Sequence, residues 1–235
     1  MKIPIVMTSH NRPEYLKKVL EGLSKNDNLD KFILLTAEEP GCEENQKLFS
    51  NVDFIEIKRT IRPEKFGCNK NTITAINDAF NDYDFVCILE EDVVPSSDFL
   101  NFILWGNKEF KDNKDIFNLS GWFNDKDDFA DFSDFNDICK TRPAFNCWGW
   151  ATWKDRWNSI NFNNDTNVSW DTQIQRNYIN GKNLKEVYPV VSRVTNIGEV
   201  GTYTTPEFWN ELKQYVDKNH DSFNLSNISN FNLRI

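Results

Sequence analysis

The chain has 235 residues and a formal net charge of −9, from 36 acidic and 27 basic side chains. This length suffices for one sizeable core, and the acidic balance argues against bulk electrostatic binding of nucleic acid or of an anionic membrane surface. The five cysteines show no metal-ligand spacing, no apolar run is long enough to span a membrane, and the N-terminus lacks a signal-peptide pattern. We therefore expect a cytoplasmic protein with reduced thiols.

Strand-like and helix-like patterns alternate through the first half of the chain. The patterns predict strands at Ile3–Thr8, Lys31–Thr36, Val52–Ile57, Asp84–Leu89 and Ile116–Ser120, and helices at Pro13–Leu23, Glu43–Phe49, Asn69–Phe80 and Ser97–Phe110. Such alternation predicts an α/β fold with a mostly parallel, Rossmann-like central sheet and helices on both of its faces.

The pattern changes in the second half. Asn124–Asp137 is rich in Asp and shows no helical or strand period, which predicts a long surface loop. Two further helices are predicted at Asp171–Asn180 and Pro206–Val216, and a short strand at Val190–Thr195. Residues 218–235 are predicted to form a polar tail that packs loosely or meets a partner.

Three adjacent carboxylates, Glu90, Glu91 and Asp92, follow the apolar strand at Asp84–Leu89. Ligands bind at the carboxyl ends of strands in open α/β sheets. A carboxylate cluster there suits a hard divalent cation that holds substrate phosphates. The alternative is an acidic turn in which Ser96 or Ser97 caps the next helix. The local sequence leaves both interpretations open.

Tryptophan is dense around the middle of the second half. Trp148, Gly149 and Trp150 are consecutive, and Trp170 follows. These rings either form the core of a small lobe or provide a platform for sugar rings. The glycine between two tryptophans indicates backbone close to a ligand or a sharp bend.

Several blocks resemble, in the same order, glycosyltransferases of the GT-A fold. The chain is most similar to the N-acetylglucosaminyltransferase I family and to small bacterial and viral nucleotide-sugar transferases. The matching blocks are Pro4-Ile5-Val6 with Asn11-Arg12, Ile88-Leu89-Glu90-Glu91-Asp92 with Asp98-Phe99, Trp148-Gly149-Trp150, Trp170-Asp171, Ser192-Arg193, and Ile197-Gly198 with Gly201. Glu91 and Thr172 depart from the family pattern, so the catalytic frame carries over better than the identity of donor or acceptor.

The resemblance implies one GT-A domain in which residues 1–121 bind the nucleotide sugar and residues 122–217 form a small acceptor-side and catalytic lobe. It implies metal-dependent, inverting transfer from a UDP-sugar to a hydroxyl of a glycan or another acceptor. Asp92 would be the direct ligand of Mn²⁺ or Mg²⁺, while Glu90 and Glu91 would face the ribose, metal-bound water or sugar. Asp171 would be the catalytic base; its alternative role is a helix N-cap.

The remaining site residues follow from the resemblance and, for Lys70, from its position on the helix before the acidic strand. Arg12 and Glu38 would contact the uracil base, with the adjacent Glu39 as the alternative to Glu38, and Thr8 would bind the donor from the loop beside them. The alternative role for Arg12 is a salt bridge at the sheet edge. Two further basic residues would serve the donor: Lys70 would reach the diphosphate unless it is merely solvated, and Arg193 would bind phosphate or order the Gly198–Gly201 loop. Trp148, Gly149, Trp150 and Trp170 would form the acceptor and sugar platform.

Three other functions stay open at this point. A nucleotidyltransferase shares this kind of sheet, but it usually carries a Gly-rich phosphate loop after the first strand, and residues 8–12 contain no glycine. A retaining glycosyltransferase would not need Asp171 as a base. A non-catalytic carbohydrate-binding module would use the tryptophans but would leave the 90–92 carboxylates without a role.

Overall fold

A computed structural model describes residues 1–123, 136–162, 168–201, 205–207, 209–210, 228 and 230–233. The strands are β1 Ile3–Ser9, β2 Phe32–Glu38, β3 Glu56–Ile61, β4 Phe85–Glu90, β5 Val93–Pro95, β6 Ile116–Ser120, β7 Ile138–Arg142, β8 Trp150–Trp153, β9 Lys185–Pro189, β10 Val194–Asn196 and β11 Asn232–Leu233. The α-helices are α1 Pro13–Ser24, α2 Glu43–Ser50, α3 Gly67–Asp82, α4 Phe99–Phe110, α5 Lys154–Trp157, α6 Trp170–Ile174 and α7 Asn180–Lys182. A 3-10 turn, Leu29–Lys31, precedes β2, and a π-helical segment, Gln175–Ile179, joins α6 to α7.

Nine strands form one sheet in the order β11-β7-β9-β6-β8-β4-β1-β2-β3. Strands β4, β1, β2 and β3 are parallel, whereas β8 runs antiparallel between β4 and β6. The predicted α/β class with a mostly parallel sheet is confirmed. Strands β5 and β10 form a separate antiparallel pair beyond the end of β4.

The strands β1 and β4 bury both of their faces, which explains their continuous apolar sequences. Ile5 and Met7 pack in the cluster that contains the apolar faces of α1 and α4. Val6 points the other way and packs with α3 and with Trp150 and Trp170. Helices therefore cover both faces of the sheet, as the alternating pattern predicted.

Several strands differ from the sequence-based prediction: β5, β8 and β11 were not predicted, and β10 begins later than the predicted strand at Val190–Thr195. β3 begins four residues later than predicted, because Val52 and Phe54 pack against the core from the connecting loop rather than from a strand. β7 and β9 were not predicted, since both carry charged residues. Their charges are compensated across the sheet, where Arg142 Nε lies 2.6 Å from Glu186 Oε1.

Part of the predicted polar tail belongs to the core. Phe231 is buried and packs against Phe102 and Trp105 of α4, and β11 extends the sheet beside β7. Most of the predicted 124–137 loop and of the predicted 206–216 helix lies outside the described residues.

Candidate active site

The parallel strands bring predicted site residues together at one edge of the sheet. In the strand register Ser9 is opposite Glu38, and Thr8 is opposite Glu90. The carboxyl ends of β1, β2 and β4 therefore meet there, and the carboxylates of residues 90–92 follow directly. This is the edge at which ligands bind in open α/β sheets.

Glu91 anchors this edge of the sheet. Its side chain is buried, and one of its oxygens accepts hydrogen bonds from the His10 backbone N–H at 2.8 Å and from Asn45 Nδ2 at 3.0 Å. Its other oxygen is 2.8 Å from Arg12 Nε. Burial raises the pKa of Glu91, and Arg12 opposes that rise. With both oxygens bonded, Glu91 holds the loop after β1 against the end of β4.

Asp92 is paired with the same arginine. Arg12 Nη1 lies 2.7 Å from Asp92 Oδ2, and the Asp92 side chain is 12% exposed. The Ile197 N–H donates to the Asp92 carbonyl at 2.8 Å, and Gly198 packs on the Asp92 carboxylate. Arg12 thus forms the salt bridge that was its alternative role; its predicted contact with a uracil base stays a prediction.

Glu90 lies in the most strongly acidic environment of the site. Burial together with Asp92 and Asp171 raises its pKa to about 8. The thiols of Cys68 and Cys147 feel the same two carboxylates, Glu90 and Asp171, which raise their pKa further beyond the effect of burial. Because Asp171 and Glu90 act on the same groups, Asp171 lies near the 90–92 carboxylates, although it is about 80 residues away in sequence.

Asp171 is held in the first turn of α6 by neighbouring groups. The residue at the N-cap position is Ser169, so Asp171 is not the cap. Asn69 of α3 fixes the segment from both sides: its Nδ2 donates to the Val168 carbonyl and its Oδ1 accepts from the Trp170 N–H, each at 3.2 Å. The Asp171 side chain is partly exposed. Its position therefore suits a group that exchanges a proton with a bound molecule.

The predicted donor contacts on β2 and α3 are already paired within the protein. Glu38 is buried and receives Arg59 Nε at 2.8 Å and Nη2 at 2.7 Å. Lys70 is exposed, lies 3.2 Å from Glu64 Oε1 and stacks on Phe66. Their roles in donor binding stay predictions.

Arg193 is buried, with its Nε 3.0 Å from Asp98 Oδ2. Its guanidinium also donates to the carbonyls of Val191 and Asn136, and its own carbonyl accepts from the Ser96 N–H at 2.9 Å. Of the two roles predicted for Arg193, these contacts favour ordering the chain that leads into the 198–201 loop over binding a phosphate.

The predicted tryptophan platform has to be corrected. Trp150 is fully buried and Trp170 is 2% exposed, and the two rings stack on each other with centroids 5.7 Å apart. They form core, which was the alternative interpretation, because the antiparallel strand β8 inserts Trp150 into the middle of the sheet. Trp148 is half-buried against Trp122 and remains a candidate platform. Gly149 adopts a positive φ of 57°, and a side chain there would collide with Val194.

Two residues that organise the site, Asn45 and Asn69, were not predicted, and a third, Glu39, entered only as the residue adjacent to Glu38. Glu39 accepts hydrogen bonds from the N–H groups of Phe66 and Gly67 at the start of α3. Its position next to Glu38 was a usable signal. The two asparagines carried none, since their partners are 46 residues away for Asn45 and 101 for Asn69.

The carboxylates fit a single hard cation that is shared with a phosphorylated ligand. Within the described ranges, no group of three or more His, Cys, Asp or Glu side chains is arranged to hold a metal ion alone. Asp92 and the neighbouring Glu90 would supply hard oxygen ligands, and the pKa of Glu90 is raised first by burial and then by Asp92 and Asp171, which a bound cation would oppose. Such a site would need ligand oxygens to complete the coordination of the ion.

Solved glycosyltransferase structures share this architecture. The mannosyltransferase PcManGT from Pyrobaculum calidifontis, in complex with GDP-Man and Mn²⁺, has a TM-score of 0.53 and 15% identity over 82% of this chain. S. aureus TarS 1-349, in complex with UDP-GlcNAc, has a TM-score of 0.56 and 15% identity over 97% of this chain. The chain has the GT-A fold. It spans 57% of the mannosyltransferase and 68% of the TarS chain.

At this level of identity the GT-A likeness shows the fold alone. Neither the protein-family models nor the curated proteins give a match to the chain. Among the described residues, no helix of this GT-A domain is long and apolar enough to cross a membrane.

Proposed function

We propose that this protein is a glycosyltransferase that moves a sugar from a nucleoside-diphosphate donor to a hydroxyl group of an acceptor, with a divalent cation and with inversion at the anomeric carbon. The observation that carries the proposal is the convergence of Glu90, Asp92 and Asp171 at the carboxyl edge of a GT-A sheet. Glu90 and Asp92, at the end of β4, would serve a different task from Asp171 on α6.

Asp92 would bind the cation, with Glu90 beside it. When bound, a divalent ion neutralises the charge of the departing diphosphate. One or two protein carboxylates leave most of the coordination shell to phosphate oxygens and water, as Mg²⁺ sites commonly do. The presence of GDP-Man and Mn²⁺ in the mannosyltransferase complex supports this part of the proposal.

Asp171 would accept the proton of the attacking hydroxyl group. A general base must lie within hydrogen-bond reach of that proton, and a partly exposed carboxylate beside Glu90 is suited to this role. The Asn69 contacts and the first turn of α6 would hold Asp171 in place, so its task does not depend on a cap. Inversion follows from a base that activates the acceptor on the face opposite the diphosphate.

The donor nucleotide follows from the resemblance, which favours UDP. Arg12 and Glu38 would read the base, although both are paired in the unliganded protein. The solved neighbours carry UDP-GlcNAc in one case and GDP-Man in another, so both nucleotides belong in the test. Trp148 is the ring that would border the acceptor, because Trp150 and Trp170 are buried.

The burial of those two rings also weighs against a carbohydrate-binding module, which needs exposed aromatic faces. The absence of glycine in residues 8–12 weighs against a nucleotidyltransferase. A retaining transferase would differ from the proposal in the anomeric configuration of its product.

Thermal unfolding with a panel of nucleotide sugars, each with Mn²⁺ and with chelator, tests the proposal. A ligand that binds the folded state raises the unfolding temperature. We expect one nucleoside-diphosphate sugar to raise it in Mn²⁺ and to lose that effect in chelator. A panel of NDP-sugars without effect, alongside stabilisation by nucleoside triphosphates, would favour the nucleotidyltransferase instead.

A further inference from the structure

Arg12 joins three groups at the proposed metal site. Its Nε is 2.8 Å from Glu91 Oε1, its Nη1 is 2.7 Å from Asp92 Oδ2, and the same Nη1 donates to the Val200 carbonyl at 3.2 Å. The guanidinium side chain is 27% exposed, whereas the two carboxylates are nearly buried. A fixed cation therefore already neutralises the carboxylate that the proposed divalent ion would bind.

The 196–200 segment rests on the same aspartate from the other side. The Ile197 N–H donates to the Asp92 carbonyl at 2.8 Å, and the Gly198 N–H donates to Asn196 Oδ1 at 2.7 Å. Gly198 is so close to Asp92 that a Cβ atom there would lie 2.3 Å from Oδ2. The end of the segment, with Val200 70% exposed, is fixed to the rest of the site by the Arg12 contact.

We propose that Arg12 is an internal counter-ion of Asp92 that a divalent cation must displace, and that this exchange releases residues 199–201 from the site. The proposal rests on the proposed metal-dependent function. Two cations on the Asp92 carboxylate repel each other, and this repulsion is only weakly screened in a partly buried site. Arg12 is thus a positioning residue that acts through Asp92 and Val200.

The exchange would affect the two ends of the segment differently. The Ile197 hydrogen bond is made to the backbone of Asp92 and does not involve the carboxylate, so residues 196–198 stay fixed. The Val200 carbonyl loses its donor when Arg12 moves. Arrival of the cation would therefore loosen the segment beside the donor site, and Arg12 would become available to a bound nucleotide.

The first test measures Mn²⁺ affinity without nucleotide, by electron paramagnetic resonance of free Mn²⁺. We expect Arg12→Gln to bind Mn²⁺ at least about tenfold more tightly than wild type, the effect of removing one charge-assisted hydrogen bond. Arg12→Lys should be intermediate, since it keeps the charge but loses the two-pronged geometry. Arg142→Gln is the matched control, because it removes a guanidinium from the buried Glu186 and should leave Mn²⁺ affinity unchanged. Circular dichroism checks that each variant is folded.

The second test is hydrogen exchange of the peptide that covers residues 199–201. Mn²⁺ should accelerate exchange there in wild type, and Arg12→Gln should exchange fast without the metal. The inference would be overturned if a folded Arg12→Gln bound Mn²⁺ no more tightly than wild type. It would also be overturned if neither Mn²⁺ nor the mutation changed the exchange rate of residues 199–201. If wild type binds no Mn²⁺ even with UDP or GDP while Arg12→Gln also binds none, the proposed metal use fails as well. If nucleotide binding depends on Mn²⁺ but Arg12→Gln leaves the Mn²⁺ affinity unchanged, the inference about Arg12 fails while the proposed metal use stands.

Discussion

Replacing Gly198 by alanine perturbs the proposed metal site with a single methyl group. The added Cβ would lie 2.3 Å from Asp92 Oδ2 and 3.0 Å from both Asp92 Cγ and Asn196 Oδ1. Contacts this short cannot persist, so an atom of the site has to move. Either the Asp92 carboxylate rotates away from Arg12, or the backbone of residues 196–198 shifts away from β5.

The structure sets the scale of the effect. Forcing an extra methyl group into a packed site typically costs about 1–3 kcal/mol, which corresponds to about 5- to 150-fold in a binding constant. The first atom displaced belongs to the Asp92 carboxylate, which would bind the metal. We therefore expect Gly198→Ala to weaken the Mn²⁺-dependent binding of UDP or GDP by about 5- to 150-fold and also to lower the thermal stability.

Two other glycines separate the metal effect from general destabilisation. A Cβ at Gly106 would lie 2.3 Å from Leu119 Cδ1 in the core, whereas a Cβ at Gly181 would meet nothing within 4 Å. Gly106→Ala should lower the unfolding temperature, by about 2–4 °C per kcal/mol for a domain of this size, and keep the nucleotide affinity. Gly181→Ala should lower neither the unfolding temperature nor the nucleotide affinity. Calorimetric titration measures the nucleotide affinity of the three variants, and thermal unfolding measures their stability. A nucleotide affinity equal to that of wild type in Gly198→Ala would show that the added methyl group does not disturb the metal site.

Three further predictions concern catalysis, pH and the nucleotide. Asp171→Asn should lower turnover about 100-fold or more with nucleotide affinity near that of wild type; steady-state kinetics with unchanged turnover would show that another group is the base. The pKa of Glu90, raised to about 8 by burial, Asp92 and Asp171, exceeds its unfolded value of about 4.3. The folded protein therefore holds a proton that the unfolded chain has lost, and stability should fall as pH rises between these values. Urea unfolding at a series of pH values gives the free energy of unfolding, which should fall less with rising pH in Glu90→Gln than in wild type. An identical pH dependence of the two proteins would contradict the assignment. If Arg12 and Glu38 read uracil, UDP should bind more tightly than GDP or ADP in competition titrations, and indistinguishable affinities would remove the basis for a UDP donor.

The sequence was informative where local pattern and burial agree. The apolar runs of β1 and β4 have both faces covered, so continuous hydrophobicity identified them and located the acidic cluster at a strand end. The helix that begins near Asp171 was predicted to within one residue of its observed start at Trp170. These features depend on neighbouring residues in the chain.

The parts that could not be predicted depend on distant partners. β7 and β9 look polar until Arg142 is seen to pair with Glu186 across the two strands. The sequence left two roles open for Arg193, binding a phosphate or ordering the 198–201 loop, and it could not show that Asp98, almost 100 residues away, pairs with Arg193 in the interior. The sequence left core and sugar platform open for Trp150, and the structure makes it a core residue because its strand inserts between β4 and β6.

Calorimetric titration of UDP and GDP into the protein, in Mn²⁺ and in excess chelator, tests whether nucleotide binding depends on a divalent cation held by Asp92. Asp92→Asn removes the proposed metal ligand, and Asp155→Asn is the matched control, since Asp155 is an exposed carboxylate paired with Lys114. We expect Mn²⁺-dependent binding of a nucleoside diphosphate by wild type and by Asp155→Asn, and loss of most of the metal effect in Asp92→Asn. Equal nucleotide affinity in Mn²⁺ and in chelator would contradict this expectation.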